Sequence, residues 1–222
     1  MTHNRQKKTA EMILSVFPRA FDSVSNTVPI SKPYLVLSEV SPLEGSPIWM
    51  NCSVENGSEP IQYMWQHQTL DENISNFSLS NGSIFAVTSI SRNHTGWYQC
   101  EASNAVNNET SDRLLLNVTY GPDEPQIDVT PYHITKHGYS ALENETVSMF
   151  CQAQSNPASQ YIWLYNNSQI DSRPLVTLDK ILRAHTGNYT CLAQNSLLHT
   201  QSSKTLSLTV YCECSPLTRP FI

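Results

Sequence analysis

One heptapeptide occurs twice: His94-Thr95-Gly96-Trp97-Tyr98-Gln99-Cys100 and His185-Thr186-Gly187-Asn188-Tyr189-Thr190-Cys191. Each copy reads H-T-G-x-Y-x-C, each has an Arg two positions earlier (Arg92, Arg183), and the two cysteines are offset by 91. A Gly opens a turn, and the Tyr and Cys that follow lie two apart, on one face of a strand. This is the pattern of a tyrosine corner, in which the hydroxyl ties back to upstream backbone and the Cys bridges two sheets. Its repetition predicts two tandem β-sandwich domains.

Four of the six cysteines extend the pattern. Cys52…Trp65…Cys100 closes a span of 48 and Cys151…Trp163…Cys191 a span of 40, with the Trp 13 or 12 positions after the first Cys. That order belongs to immunoglobulin-like sandwiches. The tight C-x₂₋₄-C pairs of zinc sites are absent. The expected class is all-β: two tandem immunoglobulin-like β-sandwiches of C2/I-like type, each with one intersheet disulfide. Loop-closure entropy makes each bridge worth roughly 4 kcal/mol, and structural bridges of this kind imply an oxidising compartment. The 222 residues suit two domains, and the net charge of −6 offers no basic field for nucleic acid.

Taken in order, residues 1–31 read as an irregular tail, 32–120 as the first domain, 121–211 as the second and 212–222 as a C-terminal tail. The first eight residues resemble a charged leader region. Met12 to Phe17 is shorter than a signal-peptide apolar core, and no stretch reaches the roughly 18 apolar residues of a membrane span. Export-type cysteines without a visible export address suggest a fragment or alternative product of a longer protein. In the first domain, Ile48, Met50, Cys52 and Val54 alternate inward and Trp49 outward. Tyr63 and Trp65 share a face of the next strand, and Leu114, Leu116 and Val118 point inward on the last. Phe77 to Val87 reads as a hairpin around Asn81-Gly82. Gly121-Pro122 predicts a stiff, short joint. In the second domain Val147, Met149, Cys151, Ala153, Leu206, Leu208 and Val210 repeat the inward set. Trp65 and Trp163 are 98 apart against 91 for the corners, so the second domain is seven residues shorter between them. The expectation is a loss of C′ or D material there and a compact constant-like sandwich rather than a variable-type one.

Cys151-Gln152-Ala153-Gln154-Ser155-Asn156-Pro157 through Trp163, Gly187-Asn188-Tyr189-Thr190-Cys191-Leu192-Ala193-Gln194-Asn195-Ser196 and Leu208-Thr209-Val210-Tyr211 resemble the short B-type domain of the carcinoembryonic-antigen-related cell adhesion molecules. Leu79-Ser80-Asn81-Gly82, Ser91-Arg92-Asn93-His94-Thr95, Ser111-Asp112-Arg113 and Leu116 to Asp123 resemble its longer A-type domain. The resemblance implies an adhesion and signalling glycoprotein, cell-surface or secreted, whose partners are other immunoglobulin-superfamily surface proteins or itself. In that family the principal adhesive face lies on a variable-like N-terminal domain. An A–B pair there acts mostly as a glycosylated stalk with secondary contacts.

Among candidate sites, N-x-S/T sequons are the most numerous: Asn51, Asn56, Asn73, Asn76, Asn81, Asn93, Asn108, Asn117, Asn144, Asn166 and Asn188. Loop sites Asn56, Asn73, Asn81, Asn108 and Asn166 are favoured. Asn51 and Asn188 flank buried cysteines or a corner, and Asn73 competes with Asn76. Cys212 and Cys214 have no partner in the sandwich scheme; they are read as unpaired thiols or as an interchain bridge. His94 and His185 are either pH-sensitive turn residues or local hydrogen-bonding ones. His133 and His137 would share a metal only on a helix, which is not expected here. No cofactor or small-molecule substrate is implied. There is no nucleophile elbow, no H-E-x-x-H and no phosphate loop, so an enzyme is not expected.

Overall fold

The computed structural model describes residues 27–71, 74–77 (backbone), 82–131, 133–136 and 138–212. The first domain contains β1 (Tyr34–Leu37), β2 (Ile48–Ser53), β3 (Gln62–Gln68), β4 (Ile74–Phe77), β5 (Ile84–Val87), β6 (Gly96–Ser103), β7 (Asn108–Thr110) and β8 (Leu114–Leu116). β1-β2-β5 form one sheet; β4-β3-β6-β7, with β8 also on β6, form the other. Between them lie Ile48, Met50, Cys52, Trp65, Ile90, Tyr98, Cys100, Leu116 and Val118. Residues 28–31 belong to the stretch read as tail, yet Ile30 is buried and its N–H donates to Asn107 Oδ1 at 2.7 Å.

The second domain contains β9 (Gln126–Thr130), β10 (Ile134–Thr135), β11 (Gly138–Leu142), β12 (Val147–Gln152), β13 (Gln160–Tyr165), β14 (Ser168–Asp171), β15 (Leu175–Leu178), β16 (Gly187–Asn195) and β17 (Thr200–Tyr211). Its sheets are β15-β12-β9 and β10-β11-β17-β16-β13-β14. β11 runs parallel to β17, and a parallel Leu43–Thr119 bridge stands at the same place in the first domain. Disulfides Cys52–Cys100 and Cys151–Cys191 join the sheets, with Cα separations of 6.3 and 6.4 Å. Trp65 and Trp163 are fully buried against them.

Two sequence expectations change, and two are made more specific. Phe77 to Val87 is not a hairpin: β4 pairs with β3 in one sheet and β5 with β2 in the other, so the chain crosses between sheets there. An Asn-Gly pair supplies a turn but cannot dictate which sheet receives the next strand. The seven-residue loss falls mostly on the connections to either side of β14, which keeps the place of β4. Three residues go from the β3–β4 connection, three from the β4–β5 connection and one from the strand beyond the Trp. Leu116 pairs with Gly96 and Leu208 with Gly187, so the last strands keep the offset of 92 that their inward leucines already show, one more than the 91 of the corners. Cys212 therefore stands where Tyr120 does. Finally, Cys212 is disulfide-bonded, which corrects its reading as an unpaired thiol. The sandwich scheme constrains only cysteines within the sheets, and Cys212 lies just past β17. Cys214 is outside the described residues.

Candidate recognition face and interdomain joint

The tyrosine corners set the geometry around them. Tyr98 Oη donates to the His94 carbonyl at 3.0 Å and Tyr189 Oη to that of His185 at 2.9 Å. Burial pushes the Tyr98 phenol well above its ordinary range; burial, with Tyr165 nearby, pushes that of Tyr189 up to about 12. His94 and His185 take the local role: each Nδ1 accepts the backbone N–H three residues back, of Ser91 at 3.0 Å and Leu182 at 2.9 Å. A ring packs on each corner, His67 stacked on Tyr98 with centroids at 4.4 Å and Tyr165 tilted against Tyr189 at 4.9 Å.

Because Tyr98 points inward, its neighbour Trp97 points outward, and it is 39% exposed. Around it lie Gln68, its cross-strand partner on β3, Leu115 on β8, and Gln66 opposite Gln99. Arg113 Nη1 donates to Gln68 Oε1 at 3.0 Å. Met64, opposite Glu101, is exposed on the same face. An exposed indole among amide side chains, each with both donors and acceptors, is chemistry suited to contact with another protein surface. The equivalent residue of the second domain is Asn188, an exposed sequon. Alternation on either side of Tyr98 was the sequence signal for Trp97; the glutamines became a site only when β3 and β6 paired.

The joint is built on Arg92. Its backbone N–H and Nε donate to Glu44 Oε1 at 2.9 and 3.1 Å, and its Nη2 to Glu44 Oε2 at 2.7 Å. Across the boundary, Nη1 donates to Asp123 Oδ2 at 2.6 Å and to Gln154 Oε1 at 3.2 Å. The guanidinium carbon lies 3.9 Å from the centre of the Tyr120 ring. Arg92 hydrogen bonds hold both carboxyls below their usual range, and the two carboxylates raise the arginine in turn. Tyr120 and Asn156 exchange backbone bonds, both 2.9 Å, and Asn156 Nδ2 donates to Asn117 Oδ1 and the Val118 carbonyl, each at 2.7 Å. Thr200 Oγ1 donates to the Gly121 carbonyl at 2.6 Å. Among the described residues Arg183 repeats only the local half, with N–H and Nε donating to Glu143 Oε1 at 3.3 Å.

The sequons occupy varied surroundings. Asn56, Asn93, Asn108, Asn144, Asn166 and Asn188 are exposed; Asn51 and Asn117 are half-buried. Asn108 Nδ2 donates to Glu101 Oε1 at 3.1 Å, and Asn166 Oδ1 accepts the Asn188 N–H at 3.1 Å. Asn76 is described only as backbone in β4, and Asn73 and Asn81 lie outside the described residues. So does His137, whereas His133 is exposed. Among the described residues no group of three or more His, Cys, Asp or Glu could hold a metal, and no helix is long and apolar enough to cross a membrane.

Comparison with known proteins agrees with this architecture. The immunoglobulin-domain family model matches twice, over residues 32–104 and 124–195. The full ectodomain of mouse nectin-like molecule 4 is similar in structure, with a TM-score of 0.62 and 20% identity over 85% of this chain and 67% of that one. Sidekick-1 immunoglobulin domains 1–4 give 0.55 and 16%, over 81% of this chain and 48% of theirs, so the chain spans about half that structure. Murine CEACAM1b gives 0.35 and 14%, over 81% and 99%, which decides nothing about the narrower family. Two matches that together cover most of the sequence place the chain in the immunoglobulin-domain family.

Proposed function

We propose that this chain is part of the extracellular region of a cell-adhesion glycoprotein, of the carcinoembryonic-antigen-related type that its sequence resembles. The face formed by β3, β6 and β8 of the first domain makes weak contacts with immunoglobulin-superfamily surface proteins or with a second copy. The observation that carries this reading is Trp97, exposed at a position where the second domain has a glycan acceptor instead. Aromatic side chains near the centre of a small interface supply most of its energy. Weak contacts of this kind act through many copies on one surface. Sequons on both domains fit a glycosylated, cell-surface or secreted product.

The test is to array the two-domain chain densely on beads and to measure bead aggregation and capture of immunoglobulin-superfamily ectodomains. Trp97→Ser is expected to lower binding by at least tenfold, since a central aromatic contact is worth about 2 kcal/mol. A second reading, a glycosylated spacer without recognition of its own, is favoured by the Arg92-pinned joint, which fixes distance rather than specificity. Wild-type beads that neither aggregate nor capture any partner select the spacer.

A further inference from the structure

Among the described residues, β1, β2 and β5 of the first domain place mostly apolar side chains on the outer face of their sheet and no charged one; Glu55 and Glu59 lie beyond the end of β2, in the cavity that Asn51 and Ser53 also line. Tyr34, Val36, Trp49 and Ile84 are 49, 40, 46 and 57% exposed. They surround one amide side chain. Asn51 lies directly opposite Val36 on β1 and Ile84 on β5, with Trp49 and Ser53 on either side of it along β2 and Tyr34 opposite Ser53. Asn51-Cys52-Ser53 is a sequon, and Asn51 Nδ2 donates to Ser53 Oγ at 3.0 Å. Asn51 Oδ1 is buried with no hydrogen-bond partner among the described residues, so the nitrogen is the amide atom held beside the surface hydroxyl.

We infer that Asn51 carries an N-linked glycan and that the first sugars of this glycan lie on the apolar face around it. The pyranose C–H faces of N-acetylglucosamine pack against aromatic rings and branched aliphatic side chains, and a neutral sugar suits strands without charged side chains. The attachment consumes a lipid-pyrophosphate-linked oligosaccharide. The anomeric C–O bond to pyrophosphate breaks, the C–N bond to Nδ2 forms, and the lipid pyrophosphate leaves with the amide proton. One N–H remains on Nδ2, enough to keep the bond to Ser53. Attachment precedes folding, so the buried Cys52 between acceptor and hydroxyl is no obstacle. The covered face is then closed to protein partners, and the opposite face, with Trp97, is the one left for contact.

This inference rests on the extracellular reading above, and the experiment separates the two. The full chain is exported behind a signal peptide from a glycosylating cell line. Enzymatic glycan release in heavy-oxygen water then marks each occupied Asn as labelled Asp for mass spectrometry. The expected result is Asn51 occupied in most molecules. Ser53→Ala, which removes this acceptor alone, should raise the fluorescence of a hydrophobic dye severalfold, and Trp49→Ser added to it should reverse most of the rise. If Ser53→Ala fails to fold, glycan release from the folded wild-type protein, with and without Trp49→Ser, gives the same reading. Occupied sequons elsewhere with Asn51 bare overturn this inference alone. An unchanged dye signal does so too, as does a bare Asn51 in a dimer that Trp49→Ser dissociates. No occupied sequon at all overturns the extracellular reading with it.

Discussion

Tyr98 and Tyr189 are doubly fixed, by a buried ring and by a hydroxyl that satisfies a turn carbonyl. Tyr98→Phe should cost about 1 kcal/mol through the lost hydrogen bond. That would lower the melting temperature of the first domain by roughly 5 °C, which differential scanning calorimetry of Tyr98→Phe and Tyr189→Phe can assign domain by domain. The ring against each corner separates the domains. Burial, with nearby His94 adding to it, holds His67 below the ordinary histidine value, against the Thr95 carbonyl, which raises it. A base whose folded pKa is depressed binds its proton more readily when unfolded, so stability falls as pH drops below about 6.5 towards the folded value. Tyr165 in the equivalent place cannot take up a proton in that range. Chemical denaturation at pH 7.5 and 5.5 should show the first domain losing stability on acidification and His67→Tyr losing less. The corner residues were legible because an H-T-G-x-Y-x-C repeat fixes them locally. His67 was not, because its importance comes from the Tyr98 ring, which only the pairing of β3 with β6 brings to it.

At the scale of elements, Gly96 and Gly187 start equivalent strands but face different neighbours. Gly96 has φ +155°, and an added Cβ would collide with the Gln68 carbonyl and the His67 ring. An added Cβ at Gly187 would meet the Tyr165 ring at 2.7 Å and the Asn166 amide at 2.8 Å, both side chains that can turn aside. Gly96→Ala is therefore expected to destabilise by roughly 2 kcal/mol and Gly187→Ala by less, as urea midpoints of the two variants would show. Alternation along β2, β6, β12 and β16 was readable because one face of each strand is buried. The path from β4 to β5 was not. Its turn chemistry is local, whereas β5 is drawn to β2 by the sheet and to the core through Phe85, whose ring lies 6.1 Å from Trp65 and 5.7 Å from Tyr98.

For the whole molecule, Arg92 links the end of one sandwich to the start of the next. Its ion pairs are partly solvent-exposed, so the joint is worth about 1 kcal/mol rather than the larger value of buried pairs. Arg92→Ala should leave both melting transitions nearly in place yet widen the distribution of distances between spin labels on the two domains. An unchanged distribution would assign the rigidity to the Tyr120–Asn156 pairing instead. Because the folded carboxyls of Glu44 and Asp123 are lowered, this contribution is present above their unfolded values, near pH 4 to 4.5, and is lost as pH falls through the folded ones.

The amino-acid sequence by itself determined the all-β class, the duplication, the two intersheet bridges and the inward-facing core, because each is written in short-range spacing that a strand converts directly into facing. Only the tertiary structure decided which sheet β5 joins and that the shorter second domain keeps β14. It also decided that Arg92 reaches Asp123, and that Asn51 stands amid Tyr34, Val36, Trp49 and Ile84. Those outcomes depend on pairings between residues tens of positions apart, whose energies are comparable until the packed core selects one.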